Sequence, residues 1–204
     1  MSVATMTRKH VFTTKMMASV AILGALSAVL MRIEFALPIA PSFYRIDVSE
    51  VAVLLGGFAF GPTAAILIEL MKNIIYVLFG GTSTAFVGEL ANFIMGCAFV
   101  LPPVICYHRN KSKRTALVGL LMGIVSLAFV GALMNYYVLL PLYATIYQMP
   151  MEAMIAMGTI LNPGVDNLLS FVLLMSVPFN IIKGILVSSI VFMSYKKISI
   201  ILKR

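Results

Sequence analysis

Lys183 stands in the middle of an apolar run that extends from Phe171 to Tyr195. An ammonium at membrane depth costs roughly 2.5–3.5 kcal/mol on insertion scales, and it is accepted where the residue faces the protein interior or a wet cavity. Asn180 lies three residues earlier, so on a helix the two polar heads share one face. Together they offer donors and an acceptor inside hydrocarbon. That combination suits a buried site for an uncharged, hydrogen-bonding solute. The structural alternative is a lysine paired with Glu69 or Glu89, or one that snorkels to the interface.

Other polar residues interrupt the apolar segments in pairs. Glu69 and Lys72 are spaced for an ion pair on one helix face. Glu89 and Asn92 share the same spacing close to an outer turn, where Glu89 can cap, partner Lys183, or accept from ligand hydroxyls. Asn135 is a lone amide, which either bonds helices together or faces a ligand. No Walker A motif occurs, and the two histidines, His10 and His108, sit near segment ends. His-dependent intramembrane proteolysis and bis-histidine haem ligation lack residues. No metal-ligand spacing appears. The apolar segments hold no arginine cluster, which disfavours a phosphate-rich substrate.

The elements that position these groups follow from composition. Of 204 residues 61% are hydrophobic and 11% charged, with a mean hydropathy of +1.05. A soluble domain carries about 25% charged residues. The chain therefore reads as one all-α polytopic membrane domain spanning residues 1–204. The net charge of +8 is not the footprint of a nucleic-acid binder. Eleven of the fifteen basic residues fall in three clusters: Arg8, Lys9 and Lys15; Arg109, Lys111, Lys113 and Arg114; Lys196, Lys197, Lys203 and Arg204. Such clusters mark cytoplasmic flanks and anchor to the lipid bilayer. Both termini are thus expected in the cytoplasm. Cys97 and Cys106 lie roughly 13 Å apart along a helix axis, too far for a disulfide.

Six helices are expected, as a six-transmembrane-helix bundle. Helix 1 runs from Phe12 to Arg32, helix 2 from Ser49 to Phe60, and helix 3 from Pro62 to Phe79. Helix 4 covers Ala85 to Tyr107 with a kink at Pro102-Pro103. Helix 5 covers Thr115 to Ile146, and helix 6 runs from Asn167 to Tyr195 with a kink at Pro178. Helix 2 is too short to cross a ~30 Å core, which needs about 20 residues. Asp47-Val-Ser-Glu50 has the form of a capping box. The loops at 34–49 and 148–166 lie on the outer face, the second with a short helix at Met151–Met157. Helix 1 carries small residues at helical spacing, with Ala21 and Ala25 as a small-xxx-small pair that admits a close helix crossing.

In order and spacing, these pieces resemble the riboflavin-specific S components of energy-coupling-factor (ECF) vitamin transporters. The residues that carry the likeness are Tyr44-Arg-Ile-Asp-Val-Ser-Glu-Val51 after a Pro-rich loop, Gly88-Glu-Leu-Ala-Asn-Phe93, Asn135, and Pro178-Phe-Asn-Ile-Ile-Lys-Gly184. Glu50 departs from the pattern, which often has Asp there, and Val51 replaces the usual Pro. The resemblance implies a substrate-binding membrane subunit of the bacterial cell membrane, not an enzyme. It would capture riboflavin, with FMN as a second candidate ligand and no cofactor. Its partners would be a transmembrane T component and two ATPase subunits. Asn135, Asn180 and Lys183 match flavin-contacting positions, with Phe43, Tyr44, Glu89 and Asn92 as further candidates. Ala21 and Ala25 match the face that docks the T component. Three rivals remain open at this point: an S component for thiamin, folate or biotin, a self-sufficient small secondary transporter, and a membrane scaffold with no ligand, in which Lys183 is only a salt-bridge partner.

Overall fold

The computed structural model describes residues 13–82 and 84–202, with side chains through Ser194. The expected cluster at Arg8 and Lys9, His10, the helix start at Phe12, and Lys203 and Arg204 lie outside those residues, as do the side chains of Lys196 and Lys197. The described chain is almost entirely helical. Helix α1 is Thr14–Arg32, α2 is Glu50–Phe60, α3 is Pro62–Gly80 and α4 is Val87–Arg109. Helix α5 is Lys113–Ile146 and α6 is Met151–Leu161. Helix α7 begins at Leu168 and ends in the segment Val177–Leu202.

Five of these helices are long and apolar enough to cross a membrane: α1, α3, α4, α5 and α7. A sixth membrane helix would have to be one of the shorter ones. Glu50–Phe60 and Met151–Leu161 are shorter apolar helices. α2 packs against α1, α3, α4 and α7, so its short length is sheltered by protein. Val53 and Leu54 are fully buried within it. Gly61, with φ of 101°, makes the turn into α3, a backbone region that Gly occupies without a Cβ penalty. Pro62 follows at the first helical turn, where its missing N–H has no partner to lose.

The caps explain where the helices begin. Thr13 Oγ1 accepts from Met16 N at 3.2 Å, and Ser112 Oγ accepts from Thr115 N at 3.1 Å. A reciprocal capping box does form, but at Asn167 and Ser170 before α7. At Asp47 the expected box does not form, and α2 starts at Glu50 with no side-chain cap. Asp47 Oδ1 accepts from Ser49 N at 2.9 Å, while Glu50 turns away to Lys72 and Lys183. Two buried ammonium groups outcompete a backbone N–H for that carboxylate.

Prolines shape α5 and α7 in the same way. Each has a π-helical turn just before a proline: Asn135–Leu139 before Pro141, and Val172–Ser176 before Pro178. Proline lacks the N–H and its ring crowds the carbonyl four residues back, here Tyr137 or Leu174 inside each π-turn. Such turns are frequent at functional sites. Pro102 and Pro103 differ: α4 stays α-helical through both. There α5 approaches closely, and a Cβ at Gly119 or Gly123 would run into Pro103 or Phe99.

The loop expected at 34–49 contains a short hairpin. Phe35–Ala36 (β1) pairs antiparallel with Arg45–Ile46 (β2), and Glu34 bonds Arg45 at 2.9 Å. The hairpin turns Phe43 and Tyr44 inward. Tyr44 stacks on Phe179 at 5.0 Å and Phe43 on Phe171 at 6.3 Å. They join a core with Ile46, Leu140, Met154 and Val165. A second core, built on Val53, Leu54, Phe58, Ile68, Phe99 and Val104, fills the other half of the bundle. A polar cavity belongs to neither.

Candidate functional site

The cavity has a volume of about 660 Å³, within the ~300–1,000 Å³ of small-molecule sites. Every residue selected from sequence as a ligand contact lines it: Asn135 from α5, Asn180 and Lys183 from α7, Glu89 and Asn92 from α4, and Phe43 and Tyr44 from the hairpin loop. Asn180 and Lys183 share a helix face as their spacing requires. Phe99 and Leu127 supply apolar wall, and Tyr76, Tyr143 and Tyr147 supply aromatic wall.

Lys183 does not pair with Glu69 or Glu89, and it does not snorkel. Its Nζ lies 2.9 Å from Asp47 Oδ2 and 3.2 Å from Glu50 Oε1. Glu50 Oε1 also lies 3.4 Å from Lys72 Nζ, and Lys72 lies 2.5 Å from Glu69 as the spacing of that pair anticipates. Five charged groups thus form one buried chain. Ser49 joins it, donating from Oγ to Asp47 Oδ1. Burial alone would push the Asp47 carboxyl up, yet Lys183 and Lys72 beside it hold it down at about 2. It stays an anion and Lys183 keeps its counter-charge. Truncating one partner of such a pair strands the other charge at a cost of about 3–5 kcal/mol.

The amides are set by their own helices. Asn135 Nδ2 donates to Gly131 O at 2.8 Å, and its Oδ1 accepts from the Tyr44 hydroxyl at 2.8 Å. Burial pushes the Tyr44 hydroxyl well above its ordinary pKa, so it remains a donor. Asn180 Nδ2 donates to Ser176 O at 3.0 Å. Gly131 makes room for it: a Cβ there would lie 2.6 Å from Asn180 Nδ2. Asn92 Oδ1 is buried without a hydrogen-bond partner among the described residues, and Glu89 does not bond to it.

Asp47 and Glu50, a helix cap by local pattern, are site residues that the sequence does not single out. The signal available is a charge count. Two lysines, Lys72 and Lys183, sit in apolar segments, and the chain has only seven acids to serve them. The small residues of α1 divide between two sides of the helix. Ala18, Ala21 and Ala25 are exposed, whereas Gly24, Ser27 and Ala28 face inward. Gly24 abuts Met71 of α3, and Ser27 Oγ donates to Ser49 O at 2.8 Å.

The family model described as the substrate-specific component of ECF transporters matches residues 15–195. A riboflavin transporter named RibU from Staphylococcus aureus (strain TCH60) is 34% identical over 190 residues, 93% of each chain. A riboflavin transporter named FmnP from Bacillus subtilis (strain 168) is 30% identical, over 89% of this chain and 92% of that one. Among solved structures, the S component of a bacterial ECF transporter matches with a TM-score of 0.72 at 32% identity, covering 93% of this chain and 98% of that chain.

Proposed function

The chain belongs to the substrate-specific components of ECF transporters, and on that premise we propose that it binds riboflavin in the cavity beneath the hairpin loop for uptake by a separate ATP-driven module. It is a transport subunit and not an enzyme. The observation that carries the reading is the donor and acceptor set left unspent in the cavity. Two of the three Lys183 protons go to Asp47 and Glu50, and the third is free for a ligand carbonyl. Asn180 commits its Nδ2 to Ser176, which leaves its carbonyl oxygen for a ligand N–H. A donor beside an acceptor is the complement of the carbonyl and imide N–H on the uracil-like edge of a flavin. Phe43, Tyr44 and Phe179 supply ring-sized apolar surface above it. Glu89, Asn92 and Asn135 remain for the ribityl hydroxyls.

The membrane arrangement follows from the same reading. α2 completes a six-membered bundle as a sheltered membrane-embedded helix. The termini and the loop around Lys111 face the cytoplasm, and the cavity opens outward. Ala21 and Ala25 present a small, exposed stripe on α1 for the T component, which together with two ATPases supplies the energy. Small side chains let a partner helix approach closely.

Three outcomes are expected. Riboflavin fluorescence should be quenched on titration with the detergent-purified chain. Asn180→Leu should weaken that binding roughly 5- to 150-fold, the equivalent of about 1–3 kcal/mol for a lost buried partner. Lys183→Met should do so as well, but it also strands Asp47 and Glu50, so Asn180→Leu is the cleaner variant. Unchanged affinity in both, with circular dichroism intact, removes the site assignment. Next, single cysteines at Ser42 and Lys111 in a cysteine-free background should label from opposite sides of the membrane. Labelling from one side contradicts the topology. Finally, Ala21→Trp and Ala25→Trp should block uptake and complex assembly while the isolated chain still binds flavin. Lost binding with assembly retained would place this face in the internal packing.

A further inference from the structure

Four carboxylates line the cavity, Glu34, Asp47, Glu50 and Glu89, against two cations, Arg45 and Lys183. Three of the four have a cationic partner: Glu34 has Arg45, and Asp47 and Glu50 have Lys183. Glu89 has none among the described residues. Its Oε2 accepts instead from the hydroxyls of Thr82 and Thr84, each at 3.0 Å. Each hydroxyl has one proton to give, so two donors converge on one oxygen, an arrangement suited to an anion.

The threonines are themselves fixed by backbone. Thr82 Oγ1 accepts from Thr84 N at 3.2 Å and Phe86 N at 3.0 Å, and Thr84 Oγ1 accepts from Gly88 N at 3.0 Å. Ala85 and Phe86 both take positive φ, 49° and 69°, an uncommon conformation for residues with a Cβ. The turn between α3 and α4 therefore holds a negative charge on the cavity wall with neutral donors. A lysine or arginine at 82 or 84 would have held the same carboxylate and cancelled it.

Building on the flavin reading of the cavity, we infer that Glu89 is a specificity determinant that selects the uncharged vitamin against its phosphate monoester. A phosphomonoester brings about −1.5 to −2 charge at neutral pH. Among the described lining residues no cation is unengaged, because Arg45 and Lys183 are already paired; Arg32, held on the Tyr76 carbonyl and ring, is not one of the lining residues. Neutral hydroxyls meet no such penalty and can donate to the second oxygen of Glu89. At an effective dielectric near 20, unit like charges ~10 Å apart repel by enough to change binding roughly tenfold. The effect is long-ranged, so it holds whichever end of the flavin lies nearest the turn.

The test is the ratio of FMN to riboflavin dissociation constants, measured on the same purified chain. Wild type should bind riboflavin more tightly. Glu89→Gln, which keeps the shape and an acceptor for both threonines, should narrow the ratio by about tenfold or more, whatever its riboflavin affinity becomes. Glu89→Asp keeps the charge and should keep a wide ratio. In wild type, raising ionic strength from about 0.05 to 0.5 M should also narrow the ratio, since the Debye length falls several-fold. That series decides the matter should Glu89→Gln not fold. A ratio insensitive to the charge at 89, or insensitive to salt when the variant is lost, overturns the inference alone. A wild-type chain that binds neither flavin overturns the cavity reading and this inference with it.

Discussion

Two ammonium groups inside a membrane bundle need anions, and much of this fold is arranged to supply them. Lys183 comes from α7 and Lys72 from α3, and Glu50 Oε1 reaches both. Asp47 and Glu69 close the two ends of the chain of charges. Because Asp47 and Glu50 lie at the entry to α2, pairing them draws the preceding loop down onto the bundle. The loop then carries Tyr44 to Asn135 and Phe43 to Phe171. Ser27 ties α1 to the same point through Ser49 O. One electrostatic requirement thus places α2, roofs the cavity and orients the face of α1 that carries Ala21 and Ala25. An ion network of this kind adds little net stability against apolar residues of equal size. Its use here is positional: Lys183 is held with one proton to spare.

The second constraint is proline. Pro141 and Pro178 each follow a five-residue π-turn that ends two residues before the proline, and those turns contain Asn135 and Ser176. Asn135 donates to Gly131 O and Asn180 to Ser176 O, so amide side chains take up carbonyls one turn back. These bonds fix the amide planes and decide which polar atoms face the cavity. Glycine completes the fit, since Gly96 admits the Glu69 carboxylate and Gly131 admits Asn180.

Much of this was legible in the sequence, and the remainder has physical reasons. Helix positions followed from long apolar runs bounded by Gly-Pro and basic clusters. The sharing of a face by Asn180 and Lys183 followed from their spacing, as did the Glu69–Lys72 pair. Long-range pairing was not legible. Lys183 is 136 residues from Asp47 along the chain, and nothing local ranks Asp47 above Glu89 as its partner. The capping-box pattern at Asp47 was locally sound, but tertiary charge overrode it. The hairpin was hidden because each strand has only two residues, too few to show alternation. The π-turns need the prolines to be read together with the amides they serve.

On the proposed reading, the cavity beneath the hairpin loop binds a flavin when the chain stands alone. The visible absorption spectrum of the chain, purified in detergent from riboflavin-replete cells without any partner subunit, addresses it directly. A protein-bound flavin band is expected, near one flavin per chain, with peaks displaced from those of free riboflavin by the dry, aromatic surroundings. A folded chain that emerges colourless, and whose spectrum with added riboflavin is the sum of the two components, would contradict it.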